Sequence, residues 1–294
     1  MSMTNQEALR IRQLGLDAMW QGRFDDAIDR YDEALGLAQD DETRELITIG
    51  KAEALIAAER EGAEIAALPA IVMRRRTPRN VYYAAYTLMR KHNEADDRPR
   101  ALFYGEIARD AATELGDPFS RAKVLNTMGI ILTADSRFAD AIDCFDTSLA
   151  ALALVRDRDA EVAVSRSLVL GGLGGAKVIG GDYEEGVRLL EGVLPQMAND
   201  YYRAEVVLDL CYGYLELGRL SEAEYFGIEG LELATVQRQT RNANHLLGEV
   251  MVRTNRYEEA DRYFTEVAGF YPQYPNVKEL LFTVDLCEVV NWKG

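Results

Sequence analysis

The stretch Gln21-Gly22-Arg23-Phe24-Asp25-Asp26-Ala27-Ile28-Asp29-Arg30-Tyr31-Asp32-Glu33-Ala34-Leu35 decides the fold, because its pattern returns along the chain. Its fullest relative is Ser136-Arg137-Phe138-Ala139-Asp140-Ala141-Ile142-Asp143-Cys144-Phe145. Shorter echoes are Gly181-Asp182-Tyr183-Glu184-Glu185-Gly186, Gly218-Arg219-Leu220-Ser221-Glu222-Ala223 and Asn255-Arg256-Tyr257-Glu258-Glu259-Ala260. Each follows an amphipathic stretch with a small residue twelve positions before the aligned Ala or Gly: Gly15, Gly129, Gly174, Cys211 and Gly248. Self-similarity at a regular period of this size marks a repeat architecture.

The pattern has a physical reason. Two antiparallel helices approach closely only where side chains are small, which explains Gly or Ala at two fixed points. The aromatic or Leu after the turn (Phe24, Phe138, Tyr183, Leu220, Tyr257) wedges between helix A and helix B of a pair. A larger residue late in helix B (Tyr31, Phe145, Leu190, Phe264) then packs toward the next pair. One pair cannot bury its own apolar face, so pairs must stack.

Aligned positions fall at Ala27, Ala101, Ala141, Gly186, Ala223 and Ala260, and the first step of 74 is twice the final step of 37. One further pair is therefore hidden over residues 42–76. Gly50 supplies the small residue of its first helix, with the partner position near Gly62 or Ala63. Pro69 is expected to interrupt the second helix of that pair, since proline lacks the N–H and clashes with the preceding turn.

This pattern resembles the tetratricopeptide-repeat family over almost the whole chain, and turns such as Glu114-Leu115-Gly116-Asp117-Pro118 are similar to those of its longer-repeat subgroup. The resemblance implies an all-α, right-handed superhelical solenoid of about seven helix pairs. The chain is read as a single domain over 1–294, with a capping helix at about 277–290 after Pro272 and Pro275.

Ligand contacts, by the same resemblance, come from the concave face, at positions three and six before and one after the small residue of helix A. These are Leu9, Arg12 and Leu16 in the first pair and Lys123, Asn126 and Ile130 in the fourth. The sixth pair offers Glu205, Leu208 and Tyr212, and the seventh Asn242, His245 and Glu249. The alternative for each is a plain solvated helix residue. Asn126 is the most suggestive, because an inward amide both donates to and accepts from a peptide backbone. The Lys and Asn arrangement with which chaperone-binding members clamp a carboxylate is absent: the helix after Lys123 and Asn126 offers Gly171, Gly172 and Gly175.

Residues 74–100 hold eight basic residues against three acidic ones, with Tyr82, Tyr83 and Tyr86 between them. Arg74, Arg75, Arg76 and Arg79 are a candidate dock for an acidic partner. The competing and favoured reading is that these charges pair with acidic helices alongside. Gly171, Gly172, Gly174 and Gly175 do not make a phosphate loop, which needs Gly-Lys-Ser/Thr after a strand. Only Gly174 sits at the small position. The other three are expected to soften the helix by about 1 kcal/mol each relative to Ala, making a hinge of the fifth pair.

The chain has 294 residues with 33 basic against 49 acidic, a formal net charge of −16. A field of that sign repels phosphate backbones and anionic lipid, so neither nucleic acid nor membrane is an expected partner. Three widely spaced cysteines, Cys144, Cys211 and Cys287, give neither a disulfide framework nor a metal motif. The N-terminal residues lack the apolar core of a secretion signal, and the cytoplasm is the expected location. His92 and His245 stand far apart with no ligand or catalytic partner at suitable spacing. The expected function is a non-enzymatic scaffold, without cofactor or metal, binding a protein or peptide. The alternatives are a peptide-responsive sensor and a subunit that self-associates through Tyr271, Tyr274 and Trp292.

Overall fold

The computed structural model describes residues 3–156 and 158–284. Among these residues the chain forms fifteen α-helices and no strand. Four helices A are α1 (Met3–Trp20), α3 (Asp41–Ala57), α5 (Pro78–Glu94) and α7 (Pro118–Ala134), and three more are α9 (Asp159–Ile179), α11 (Asp200–Glu216) and α13 (Gln237–Arg253). Their partners, the helices B, are α2 (Phe24–Leu37), α4 (Ala63–Arg74), α6 (Arg98–Glu114), α8 (Phe138–Leu152), α10 (Tyr183–Val193), α12 (Leu220–Leu233) and α14 (Tyr257–Gly269). These are the seven expected pairs. α15 (Val277–Leu281) follows them, and the rest of the expected capping helix, with Cys287 and Trp292, lies outside the described residues.

Polar side chains start many of these helices by accepting hydrogen bonds from backbone N–H groups that have no partner within the helix. Asp40 accepts from the Thr43 amide at 2.7 Å, and Asn199 accepts from the Tyr201 amide at 3.0 Å. The helices B use another device. Arg23, Arg137, Arg219 and Arg256 stand one residue before the helix and each pairs with an acid three positions on: Asp26, Asp140, Glu222 and Glu259.

The A–B turn fixes the register of all seven pairs. Its central residue has a left-handed backbone at Gly22, Glu59, Asp96, Ser136, Gly181, Gly218 and Asn255, with φ between 54° and 94°. In five pairs this residue lies seven positions after the small residue read from the sequence. By the same offset the second pair takes Ala52, not Gly50, as its small residue, and the third takes Met89. Ala52 and Met89 are both fully buried, as is Leu68, which occupies in α4 the place of Tyr31 in α2. Gly50 instead faces the preceding pair: a β-carbon there would meet the Tyr31 ring at 2.7 Å. Nor does Pro69 interrupt α4, which runs through it from Ala63 to Arg74. The proline removes one hydrogen bond from a 12-residue helix whose Ile65, Leu68, Ile71 and Val72 anchor it to the core.

The four glycines of α9, three of them expected to soften the helix, each also have a packing contact. Gly174 lies on Leu190 of its own pair, and a β-carbon on Gly172 would come 2.6 Å from the Phe145 ring. Gly171 faces Met197 and Val206, and Gly175 is pressed against the carboxylate of Asp209. α9 is also long and apolar enough to cross a membrane by composition, but these contacts make its apolar surface a packing surface.

By internal contacts the chain divides into two compact units, residues 1–124 and 125–294. Nearest-neighbour contact is how stacked repeats are held together. In the first unit Ala8, Ile11, Ala27, Tyr31, Ala34 and Ile47 form one cluster. In the second, Leu190, Leu210, Tyr214, Leu246 and Phe264 belong to a larger cluster that continues to Leu281 of α15.

Candidate functional site

In the first unit several A-helix positions carry charge. The position directly after the small residue is Leu16 in α1, Glu53 in α3 and Arg90 in α5. Glu53 Oε1 accepts a hydrogen bond from the buried Thr87 hydroxyl at 2.8 Å. Burial pushes the Glu53 carboxyl above the usual carboxylate range, opposed by the Thr87 hydrogen bond and the positive charges of Arg90, Arg12 and Lys123. Lys123 lies over the Tyr86 ring, 5.6 Å from its centroid, a favourable placement of a cation on a π face. Tyr82 stacks on Tyr86 at 5.9 Å and meets Tyr83 edge-on.

Tyr31 of α2 is fully buried, its ring against Gly15 and Gly50. Burial pushes its hydroxyl up to about 12, with Arg12 pulling down and Glu53 and Asp17 adding to the rise. Among the described residues neither Tyr31 Oη nor the buried Nε of Arg12 has a hydrogen-bond partner. Sequence reading found Arg12, Leu16 and Lys123 but missed Glu53, Thr87 and Arg90. The signal was present: stepping 37 residues from Leu16 gives Glu53 and then Arg90. Gly50 drew the register two residues away.

The basic dock is engaged with its own neighbours. Arg74 and Arg76 each reach Glu45 at 3.4 Å, Arg76 also pairs with Asp41 at 3.0 Å, and Arg75 with Glu114 at 3.2 Å. The nearly buried Glu45 also accepts from Asn80 Nδ2 at 3.3 Å. Arg79 is exposed and outside this set. Arg74, Arg75 and Arg76 are thus ion-paired, because the end of α4 is set against acids of α3 and α6.

In the second unit the residues expected on the face divide into two groups. Ile130 is 47% exposed and Asn126 half-buried, both on α7. Leu208 is buried, and a β-carbon on Gly230 of α12 would meet it at 2.6 Å, so it is a core contact between paired helices. Tyr212 is buried too, meeting Tyr183 edge-on at 6.1 Å. Asn242 and Glu249 are each 3% exposed. His245 Nε2 stands 3.6 Å from Glu249 Oε1, one helical turn away. Glu205 is tied to α13 by Arg238 at 2.7 Å and by Gln239 Nε2 at 2.8 Å. Asp209, against Gly175, is an additional buried carboxylate on this side of α11 that sequence reading passed over. Helix-to-helix distance decides which of these side chains reach solvent, and no spacing rule contains it.

At the C-terminal end Tyr271 packs on the core and Tyr274 is 61% exposed. Cys211 is fully buried and its thiol is pushed up by burial. Cys144 is half-buried.

The family model that matches this chain is the tetratricopeptide repeat, over residues 16–45. No curated protein is significantly similar in sequence. Among solved structures, the apo form of the quorum sensor NprR from B. thuringiensis superposes with a TM-score of 0.72 at 16% identity, over 94% of this chain and 80% of that one. NprR in complex with its cognate peptide NprX gives 0.68 at 17% identity, over 94% and 83%. The apo form of RapI gives 0.66 at 14% identity, over 95% and 82%. At these identities the likeness is one of fold, and the fold of this chain is the tetratricopeptide-repeat solenoid.

Proposed function

We propose that this tetratricopeptide-repeat protein is a cytoplasmic, non-enzymatic scaffold that binds a protein or peptide segment along the face lined by its helices A. The observation that supports this reading most is its structural match to NprR in complex with a cognate peptide. The face offers the right chemistry. Half-buried Asn126 lies on this face, and exposed Ile130 one turn on gives an apolar contact. The net charge of −16 disfavours nucleic acid and anionic lipid as partners, and the reading invokes no cofactor. A second reading, a peptide-responsive sensor, draws support from the likeness to a quorum sensor.

The test is affinity capture from native cells, comparing the wild type with an Asn126→Ala/Ile130→Ala variant whose helical circular dichroism is unchanged. Loss of specific partners from the variant supports binding on this face. Retention of every partner moves the function to the helices B. To separate scaffold from sensor, a captured peptide is added to the chain and its other partners are measured again. Partners that change with peptide make the chain a sensor.

A further inference from the structure

We infer that the outer side of the first helix pair is a docking surface for a basic amphipathic helix of another protein. Leu14 and Asp17 of α1 and Asp26, Asp29, Arg30 and Glu33 of α2 line one groove of about 590 Å³. Residues three or four apart share a side of a helix, so Leu14 and Asp17 stand together and Arg12 and Leu16 belong to another side of α1. The surface is therefore distinct from the peptide-binding face proposed above.

Later pairs cover the same positions. Leu14 stands directly before the small residue of its helix A, where the third to seventh pairs have Leu88, Met128, Leu173, Leu210 and Leu247, none more than 5% exposed. The cover comes from the helix B of the preceding pair: a β-carbon on Gly227 of α12 would come 2.7 Å from Leu247 of α13. In the second pair the residue is Lys51, which reaches Asp32 of α2 at 2.6 Å. Asp17, two places after the small residue, corresponds to Ala54, Ile131, Ala176 and Val250, all fully buried. In α1 these positions are open: Leu14 is 41% exposed, and Asp17 is exposed. A polar outer face is enough to close the end of a stack of repeats. Here Leu14 keeps the apolar residue of the contact position, and Trp20, three residues after Asp17, is 76% exposed.

Shape and charge choose the occupant. A helix lies on these positions in the later pairs, so a helix fits them here. Arg23 is paired with Asp26, Arg30 with Glu33 at 2.9 Å, and Arg10 with Glu7 at 2.7 Å. Asp17 receives Gln13 at 3.0 Å, and neither Asp17 nor Asp29 has an ion-pair partner among the described residues. The groove thus keeps two negative charges, which favour a helix with Lys or Arg beside its apolar stripe. A second copy of this chain would set the same two acids against them, and like charges face to face oppose pairing.

The experiment titrates the full chain into fluorescein-labelled helical peptides and reads fluorescence anisotropy. One peptide has a Leu and Ala stripe with Lys on the opposite face, a second has the same residues shuffled so that no stripe forms, and a third has Glu in place of Lys. The striped Lys peptide is expected to bind about tenfold tighter than the shuffled one, and the Glu peptide more weakly than either. Asp17→Lys/Asp29→Lys weakens the striped peptide about tenfold, and Leu14→Ser weakens it about threefold or more. Glu232→Lys/Glu266→Lys, the same change of charge at exposed positions on α12 and α14, weakens it less than about twofold. All these substitutions are at exposed positions, and unchanged helical circular dichroism verifies the fold. In a Trp292→Phe background Trp20 is the sole tryptophan, and its emission shifts to the blue on binding. Equal binding of striped and shuffled peptides, equal losses in the two charge variants, no effect of Leu14→Ser, unmoved Trp20 emission, or no binding would each overturn the inference. So would a dimer in light scattering that Leu14→Ser abolishes, which would assign the surface to a second copy. None of these outcomes touches the scaffold reading, which stands or falls on the capture experiment with the α7 variant.

Discussion

Gly50 of α3 lies against the ring of Tyr31 from the preceding pair, where a β-carbon would stand 2.7 Å from Cε1 and 2.9 Å from Cζ. Gly15 of α1 closes on the same two ring atoms. Tyr31 is fully buried, so the ring has no free direction in which to move. Gly50→Ala should therefore lose about 1–3 kcal/mol by overpacking, although alanine favours an isolated helix by about 1 kcal/mol. Gly36→Ala in α2 is the control. A β-carbon there meets nothing within 4 Å, and the variant should gain up to about 1 kcal/mol. Urea unfolding of both variants checks the opposite signs.

Phe145 repeats the arrangement between Gly129 and Gly172, while Gly175 rests on Asp209. Packing on both sides should protect residues 169–178 of α9 from hydrogen exchange as fully as the middle of α11. Exchange markedly faster than in α11 would reinstate a hinge in the fifth pair.

Glu59 holds a left-handed backbone, φ 54°, at the turn where three of the other pairs use glycine. A side chain in this conformation costs about 1–2 kcal/mol, part of which glycine gives back through its greater freedom when unfolded. Glu59→Gly should raise stability by about 0.5–1 kcal/mol. A loss of stability in thermal unfolding would show that the Glu59 side chain contributes more than its backbone costs.

Glu53 gives a pH dependence with a definite sign. Its folded carboxyl titrates above the ordinary value of 4.5, because burial outweighs Thr87 and the cations. Below 4.5 the group is neutral in folded and unfolded chains alike and its contribution is fully present. As pH rises through the raised folded value, ionisation in a buried place costs stability. Glu53→Gln should therefore gain on the wild type as pH rises from about 4.5 through the raised folded value, read as a difference in unfolding midpoint that widens and then levels off. A constant difference across that range would mean that Glu53 ionises without penalty.

The sequence was most legible where the same physical demand recurs. Residues such as Phe145, Leu190 and Phe264 must fill the space left by Gly129, Gly174 and Gly248, so the pairing rule could be read directly. It misled at Gly50, whose partner belongs to the neighbouring pair, and at Pro69, where core anchoring outweighs a missing hydrogen bond. At the candidate site, Arg12 and Lys123 followed from position. Leu208 and Tyr212 also occupied the right positions, yet they are buried against α12 and α10.

What the sequence determined by itself is the all-helical repeat, the number of pairs and the placement of most turns, because these follow from local periodicity and from small residues at fixed intervals. Tertiary structure alone decided that Arg74, Arg75 and Arg76 are ion-paired, that the glycines of α9 are contacts, and that Glu53 receives the buried Thr87 hydroxyl. Charge pairing and desolvation depend on distances between helices, and those distances are set by how each pair stacks on the next.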